Sequence, residues 1–336
     1  MSNSNKRAVS LWQWLRPALA SVLAVLAGIA YGLLTRVAFG SSQFSDLFTT
    51  LSLGFLCLTP FALGVVTGLL APTHLRTHWA YAIFTPWVAC SLFMLLVAVF
   101  SMEAWICVLM ALPIFWVMAT IGGVVTCVIF VALAGRNKGA VIGLLSLVVL
   151  APYVATPIER ALPVVDSIRT VDTQIEIFAS PAVVWDNITR VRAIAPAEHR
   201  FSFFHFAGLP RPHEASLSAD GVGGVRRGQW EDGLAFVETI TAWEAERSYT
   251  MQMEADTSAV THASLPLRGI GGPAFDVVGG RYEIETLGPE HVILHFSSTH
   301  RLSTSFNWYG GLWTDFFMRD VQHYILDIVK ARSEAR

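Results

Sequence analysis

Only two carboxylates, Asp46 and Glu103, stand in the first 158 residues of this 336-residue chain. Charge is scarce overall: Asp, Glu, Lys and Arg make up 14% of the chain, against about 25% in ordinary soluble proteins. The scarcity is uneven. Seven of the 23 Lys and Arg precede Glu159, which leaves sixteen bases and twenty-three acids from there onward, a formal charge of −7. A surplus of acid argues against nucleic acid as a partner, because such domains carry a basic stripe.

Cysteine is missing from the second half. Cys57, Cys90, Cys107 and Cys127 all lie in the apolar half, so the remainder has neither a disulfide framework nor a Cys-based zinc site. No H-E-x-x-H, P-loop, G-x-S-x-G or paired-carboxylate signature is present, and each of those chemistries needs its own spacing of ligands or nucleophiles. The "GVGG" at Gly221–Gly224 runs into a strand rather than a helix, so it offers no helix N-terminus to a pyrophosphate. His291 and His295 are four apart, but on a strand that spacing does not gather them around one ion. Neither a metal nor a cofactor is expected.

What is present in the first half is apolar length. Five segments, 18–38, 47–71, 79–100, 104–135 and 139–158, approach or exceed the ~20 residues that span a hydrocarbon core. The fourth is long, with Pro113 and Gly122-Gly123 as kink points, and is read as one pass. With the N-terminus inside, Lys6, Arg7, Arg16, Arg76, Arg136 and Lys138 fall on the cytoplasmic face and only Arg36 falls outside, as the positive-inside rule asks. Five passes then put the rest of the chain on the outer face, which for a bacterial plasma membrane is the periplasm. No ionisable residue lies deep in a segment, where a transporter keeps its coupling groups, so residues 1–158 read as an all-α polytopic membrane domain that anchors rather than transports.

After a linker at 159–170 the pattern changes. "VDTQIEIF" alternates like a strand. "SPAVVWDNIT" offers Ser180 as N-cap and Pro181 as first helical residue of a short helix. Six strands are expected in "RFSFFHFAG", "GVGGVRRGQW", "LAFVETITAWEA", "SYTMQMEA", "GGRYEIETLG" and "HVILHFSSTHRL", with a hairpin turn at "EDG". A long helix closes the domain at Trp308–Ala331. Trp308, Leu312, Phe316, Val321, Tyr324 and Ile328 are read as its one apolar stripe, with Asp315 and Arg319 paired at i,i+4. This is an α+β domain over 171–332, its antiparallel sheet curved around the last helix.

The words "QIEIFASPAVVWDNIT", "GVGGVRRGQWEDGLAFVETITAWEAER" and "NWYGGLWTDFFMRDVQHYILDIVK" resemble the SRPBCC, or START-like, superfamily and within it the polyketide cyclase/dehydrase-like group. The resemblance covers about Val171 to Ala331. It implies a helix-grip fold with a hydrophobic cavity between sheet and long helix, holding a lipid or other apolar small molecule.

Strand phase puts Arg226 on one face with Trp230, and Glu238 on one face with Phe236 and Ile240; the two charges are read as facing solvent, pairing with each other or holding a ligand head group, and the cavity that the resemblance implies favours the last for a binding site. With Trp308, Phe316 and Tyr324 from the closing helix these form the expected ligand-binding set. Were the domain instead a cyclase/dehydrase-like enzyme, Glu238, His205 and His295 would supply the acid–base groups, with Arg226 beside them. A third reading is a membrane assembly protein whose tail binds a protein that the sequence does not identify. "SAVTHASLPLRGIGGPAFDVVGG", Ser258–Gly280, reads as a lid, a membrane-facing patch or a plain connection.

Overall fold

The computed structural model describes residues 3–41, 51–103, 105–133, 138–260 and 269–335. It divides into two compact units, Met1–Pro163 and Val164–Arg336.

The first unit contains α1 (Asn3–Gly40), α2 (Thr59–Leu69), α3 (Trp79–Val99), α4 (Trp105–Ala132), α5 (Lys138–Leu147) and α6 (Ala151–Arg160). A π-helical turn, Gly54–Leu58, leads into α2, and a 3-10 turn, Val148–Leu150, joins α5 to α6. Among the described residues four helical stretches are long and apolar enough to cross a membrane: Arg16–Gly40, Trp79–Val99, Trp105–Ala132 and Val141–Arg160. The third of these runs unbroken through Pro113. The second expected segment yields a shorter apolar helix, Gly54–Leu69. At 1.5 Å per residue it is about 24 Å long, under the ~30 Å of a hydrocarbon core; residues 47–50 and Arg136 lie outside the described residues.

Small residues set this packing. A Cβ on Gly64 would sit 2.1 Å from the Ala119 carbonyl oxygen, one on Gly122 2.0 Å from that of Phe61, and one on Gly123 2.2 Å from that of Ala82. Glycine therefore lets the backbones of α2, α3 and α4 touch, the usual device where lipid removes the hydrophobic drive between helices. The charges at the segment ends are used locally. Arg36 pairs with Glu103 at 2.9 Å, and Glu159 accepts from the amides of Leu53 and Gly54 at the start of the helix that leads into α2.

The second unit is a seven-stranded antiparallel sheet in the order β1-β7-β6-β5-β4-β3-β2. Its strands are β1 (Ser167–Ile177), β2 (Pro212–Leu217), β3 (Val225–Trp230), β4 (Ala235–Glu244), β5 (Ser248–Asp256), β6 (Phe275–Gly288) and β7 (His291–Leu302), with helices α7 (Pro181–Thr189), α8 (Phe203–Phe206) and α9 (Asn307–Glu334). The sheet curls around α9 as a half-barrel, a helix-grip architecture. Register defines its two ends. At the entry end Ser167 faces Leu302, Leu302 faces Phe275, and Ala235 faces Asp256; at the far end lie Ile177 against Val292 and Glu244 against Ser248.

Local chemistry explains most elements. Pro181 opens α7, and the Ser180 carbonyl takes the first intrahelical bonds from Val183 and Val184. The β3–β4 hairpin turns through Asp232 and Gly233, both at positive φ (58° and 80°), which Gly allows without strain and Asp tolerates. Three expectations fail here. β2 was not foreseen, since "PHEASL" opens on a proline and buries only Ala215. β1 starts inside the expected linker. "RFSFFHFAG" is not a strand: Ser202 and the Phe204 amide bind the Asp320 carboxylate at 2.5 and 2.9 Å, which nucleates α8 at the surface of α9.

The closing helix buries half of the expected stripe, Val321, Tyr324 and Ile328, and leaves the other half outside. Gly310, Gly311, Phe317, Met318, Val321, Gln322, Tyr324, Leu326, Ile328 and Val329 are buried, while Trp308, Leu312 and Phe316 are exposed. A helix turns about 100° per residue, so Phe316 and Val321 point some 140° apart. The two glycines permit the close approach: a Cβ on Gly311 would lie 2.7 Å from the Arg169 guanidinium carbon. Arg169 in turn binds Asp315 through Nε at 2.8 Å, taking the carboxylate expected to pair with Arg319.

Candidate functional site

The interior of the sheet has two apolar clusters. At the far end Ile177, Val184, Ile188, Tyr249, Leu294 and Leu326 belong to the larger core; each fully buried Leu or Ile there contributes about 1.5–3 kcal/mol. At the entry end the buried group is smaller: Val171, Leu234, Phe236, Val277 and Met318. Around it stand Leu209, Trp230, Met253, Ala255, Val260, Ile270 and Phe275, all only partly buried. This smaller group and its partly buried rim make up the apolar interior of the entry end.

Two polar side chains border that group, neither foreseen. Gln322, on α9 one turn beyond Met318, donates from Nε2 to the Val171 carbonyl at 2.9 Å and to Ser298 Oγ at 2.6 Å. A carbonyl can only accept, which fixes the amide orientation. Its Oε1 is then a buried acceptor with no partner among the described residues. His300, opposite Val277 in the sheet and wholly buried, places Nε2 3.0 Å from Thr314 Oγ1. Its Nδ1 is likewise buried and unpartnered among the described residues. Burial pushes the His300 imidazole below its ordinary value, and nearby Arg169 acts in the same sense while Asp315 opposes it. Asp315 itself is held below the usual carboxylate range by its hydrogen bond from Arg169. Such orphaned buried groups are rare and expensive, and call for water or a ligand.

The residues singled out from the sequence are distributed over the unit. Arg226 and Glu238 are directly opposed on β3 and β4, both buried, and pair with each other. Arg226 Nε also donates to the Thr189 carbonyl at 3.3 Å, and Tyr249 donates to that of Ile188 at 2.9 Å, so the pair closes the C-terminal turn of α7. Desolvation alone would lower the Arg226 guanidinium, but Glu238, with Tyr249 and Tyr282, holds it above its ordinary value. Trp230 and Phe236 meet edge to face at 5.8 Å at the entry end. Ile240 belongs to the far-end core, and Trp308 and Phe316 lie on the outer surface of α9.

The remaining candidates sit in α8 and on the outside of the sheet. His205, on α8 rather than on a strand, meets Tyr324 edge to face at 4.5 Å, and the Tyr324 hydroxyl bonds His199 Nδ1. Burial lowers the His205 imidazole. His295 faces outward, 3.0 Å from Glu285, in an open polar groove of about 570 Å³ that also includes Asp172, Glu283, Arg319 and His323. Glu238, His205 and His295 therefore do not converge. Strand phase separates His295 from His300: Val292, Leu294 and Phe296 share a face with His300, and His295 does not. Within Ser258–Gly280, residues 261–268 lie outside the described residues.

No family model matches this chain, and no curated protein does. Solved structures do. A START superfamily protein from Mycobacterium smegmatis is 12% identical, over 49% of this chain and 97% of that one, with a TM-score of 0.34. Truncated norcoclaurine synthase from Thalictrum flavum is 11% identical, over 52% and 98%, with a TM-score of 0.31. An uncharacterised protein from Rhizobium leguminosarum is 13% identical, over 51% and 99%, with a TM-score of 0.30.

Proposed function

We propose that this chain is a membrane-anchored binding or transfer module for an apolar small molecule or lipid, held at the entry end between the sheet and α9. The observation that carries the reading is the Oε1 of Gln322, buried and without a partner among the described residues, beside the apolar group of Trp230, Phe236, Met253, Val277 and Met318. Apolar walls supply affinity and one or two polar groups supply orientation. Because the orphan oxygen can only accept, the preferred guest carries a hydroxyl or N–H donor at one end of an apolar body. The Arg226–Glu238 pair has a structural part in this reading, not a contact with the guest.

A cyclase-like activity has less support, since an acid–base set must lie within about 3 Å of one substrate and the candidates are spread over α8, the α7 contact and the outer face. The helices of the first unit supply the anchor. We place the second unit on the outer face of the membrane, on the charge asymmetry of the connecting segments.

The test is mass spectrometry of organic extracts from detergent-purified full-length protein. We expect an apolar molecule bearing a donor group, retained at a fixed ratio to protein. Met318→Trp, which fills the proposed binding space, should abolish retention, and Gln322→Leu should weaken it by about five- to tenfold, the 1–1.5 kcal/mol of one hydrogen bond. An extract without such a molecule, or retention indifferent to Met318→Trp, rejects the reading.

A further inference from the structure

The apolar side chains that α9 leaves in solvent form one built surface. Trp308, Leu312 and Phe316 are 71%, 64% and 42% exposed and, at four-residue spacing, occupy one side of the helix. Phe203 continues the surface from α8, its ring 5.7 Å from that of Phe316. Phe201 extends it further, 5.1 Å from Phe203 and 6.2 Å from Phe206. Phe201 and Phe206 are both 73% exposed. The ridge is held in place from beneath by Asp320, which takes hydrogen bonds from Ser202 and the Phe204 amide. Scattered exposed apolar residues are ordinary; a contiguous aromatic ridge on a pinned scaffold marks an interaction site.

Three observations identify the occupant. The first is where the chain enters. Asn307, the first residue of α9, donates from Nδ2 to the Val165 carbonyl at 2.8 Å, and Ser303 Oγ donates to Asp166 at 2.6 Å. The strand that follows the tether therefore begins where the ridge begins. Upstream, α6 ends at Arg160 and β1 starts at Ser167, a connection of at most about 25 Å fully extended. Its Leu162, Val164 and Val165 are themselves exposed. The stretch before it, Val141–Arg160, is long and apolar enough to cross a membrane.

The second observation is composition: a row of Trp, Phe and Leu is the chemistry that settles at the headgroup boundary of a bilayer. The third is charge. In a unit with an acidic surplus, two exposed cations stand beside the ridge, Arg200 next to Phe201 and Arg319 one turn beyond Phe316, with exposed Asp166 near its start; the cations suit anionic headgroups.

We infer that the ridge formed by Trp308, Leu312, Phe316, Phe203, Phe201 and Phe206 docks the second unit onto a lipid bilayer surface, with its aromatic side chains at the headgroup–acyl boundary. The entry-end apolar group lies at the same end of the sheet, so docking brings the proposed binding region toward the lipid and spares an apolar guest a passage through water. The inference rests on the membrane-anchored part of the proposed function and is independent of what the entry end holds.

The test places a photoreactive benzophenone side chain in the full-length protein, reconstituted in vesicles of phosphatidylethanolamine and phosphatidylglycerol. Leu312→p-benzoylphenylalanine and Phe206→p-benzoylphenylalanine probe the ridge. Glu246→p-benzoylphenylalanine, in the exposed β4–β5 turn at the far end, is the aqueous control, and Leu144→p-benzoylphenylalanine reports the apolar helix. After irradiation, intact mass should show phospholipid adducts at residues 312, 206 and 144, severalfold above residue 246. Lipid adducts at 144 with background yield at 312 and 206 overturn the docking and leave the anchor standing. Cross-links from 312 to a second copy of the chain, without lipid adducts, assign the ridge to self-association and also overturn it. Silence at 144 as well rejects the membrane anchor, and the docking with it.

Discussion

Arg226 on β3 and Glu238 on β4 are cross-strand partners whose charges meet out of reach of solvent, under the last turn of α7. Two ions taken out of water in this way stabilise little beyond what an apolar pair of similar volume would, but either one left alone is costly. Glu238→Gln and Arg226→Met should each cost about 3–5 kcal/mol. The double replacement Arg226→Met with Glu238→Leu should recover most of that loss. Hydrogen exchange of the β3 and β4 amides in full-length protein measures it; additive losses in the double variant would show that the two side chains act separately.

A pH dependence follows from His300. Burial sets its imidazole below the ordinary 6.5, so below that pH the unfolded chain binds a proton that the folded unit resists. Stability from this group is full above about pH 6.5 and declines as pH falls toward the folded value, the sign required when the unfolded state holds more protons. His205, also lowered by burial, acts in the same window, whereas Asp315, lowered by Arg169, matters only in stronger acid. Protection of β7 amides, corrected for intrinsic exchange, should fall between pH 7.5 and 5.5, and His300→Leu should flatten the trend. An unchanged slope in that variant would assign the acid sensitivity elsewhere.

The alternating strands and the long closing helix were legible because period-2 and period-3.6 patterns follow directly from which side chains must leave water. β3 to β7 and the Asp232-Gly233 turn fall where that pattern puts them. The pattern says less about which apolar side chains stay exposed: Trp308, Leu312 and Phe316 were assigned inward on hydrophobicity alone, and only the buried Gly310-Gly311 contact fixes the true phase. α8 was hidden for a related reason. Its stability comes from Asp320, 116 residues downstream of Phe204, and no local propensity encodes that bond. For the site, Trp230 and Phe236 were readable from strand phase. Gln322 was not, because a glutamine on an amphipathic helix looks like a solvent residue until Val171 and Ser298 are seen beneath it.

The phase of α9 can be tested by contrast. Leu326 is completely buried against the far-end core, so Leu326→Ala should cost about 2–5 kcal/mol. Leu312→Ala, on the exposed side, should stay within about 0.5 kcal/mol. Equal losses in hydrogen-exchange protection of α9 would return Leu312 to the interior and remove the ridge.

The last prediction concerns the side of the membrane. Lys6, Arg7, Arg16, Arg76, Arg136 and Lys138 share the cytoplasmic face only if Gly54–Leu69 counts as a crossing. That helix is short for the bilayer, but α2 has small residues where it meets its neighbours, Gly64 against Ala119 and Gly68 against Thr126. Packed inside other helices, a short span meets protein rather than lipid at its ends, which relaxes the length requirement. Five passes then carry Arg336 to the outer face. A reporter that is active only outside the cytoplasm should therefore be active when fused after Arg336 and silent when fused after Arg136. The opposite result at Arg336, with Arg136 still cytoplasmic, would mean that Val141–Arg160 does not cross. A reporter active outside the cytoplasm after Arg136 would instead remove Gly54–Leu69 from the crossings and return the second unit to the inside.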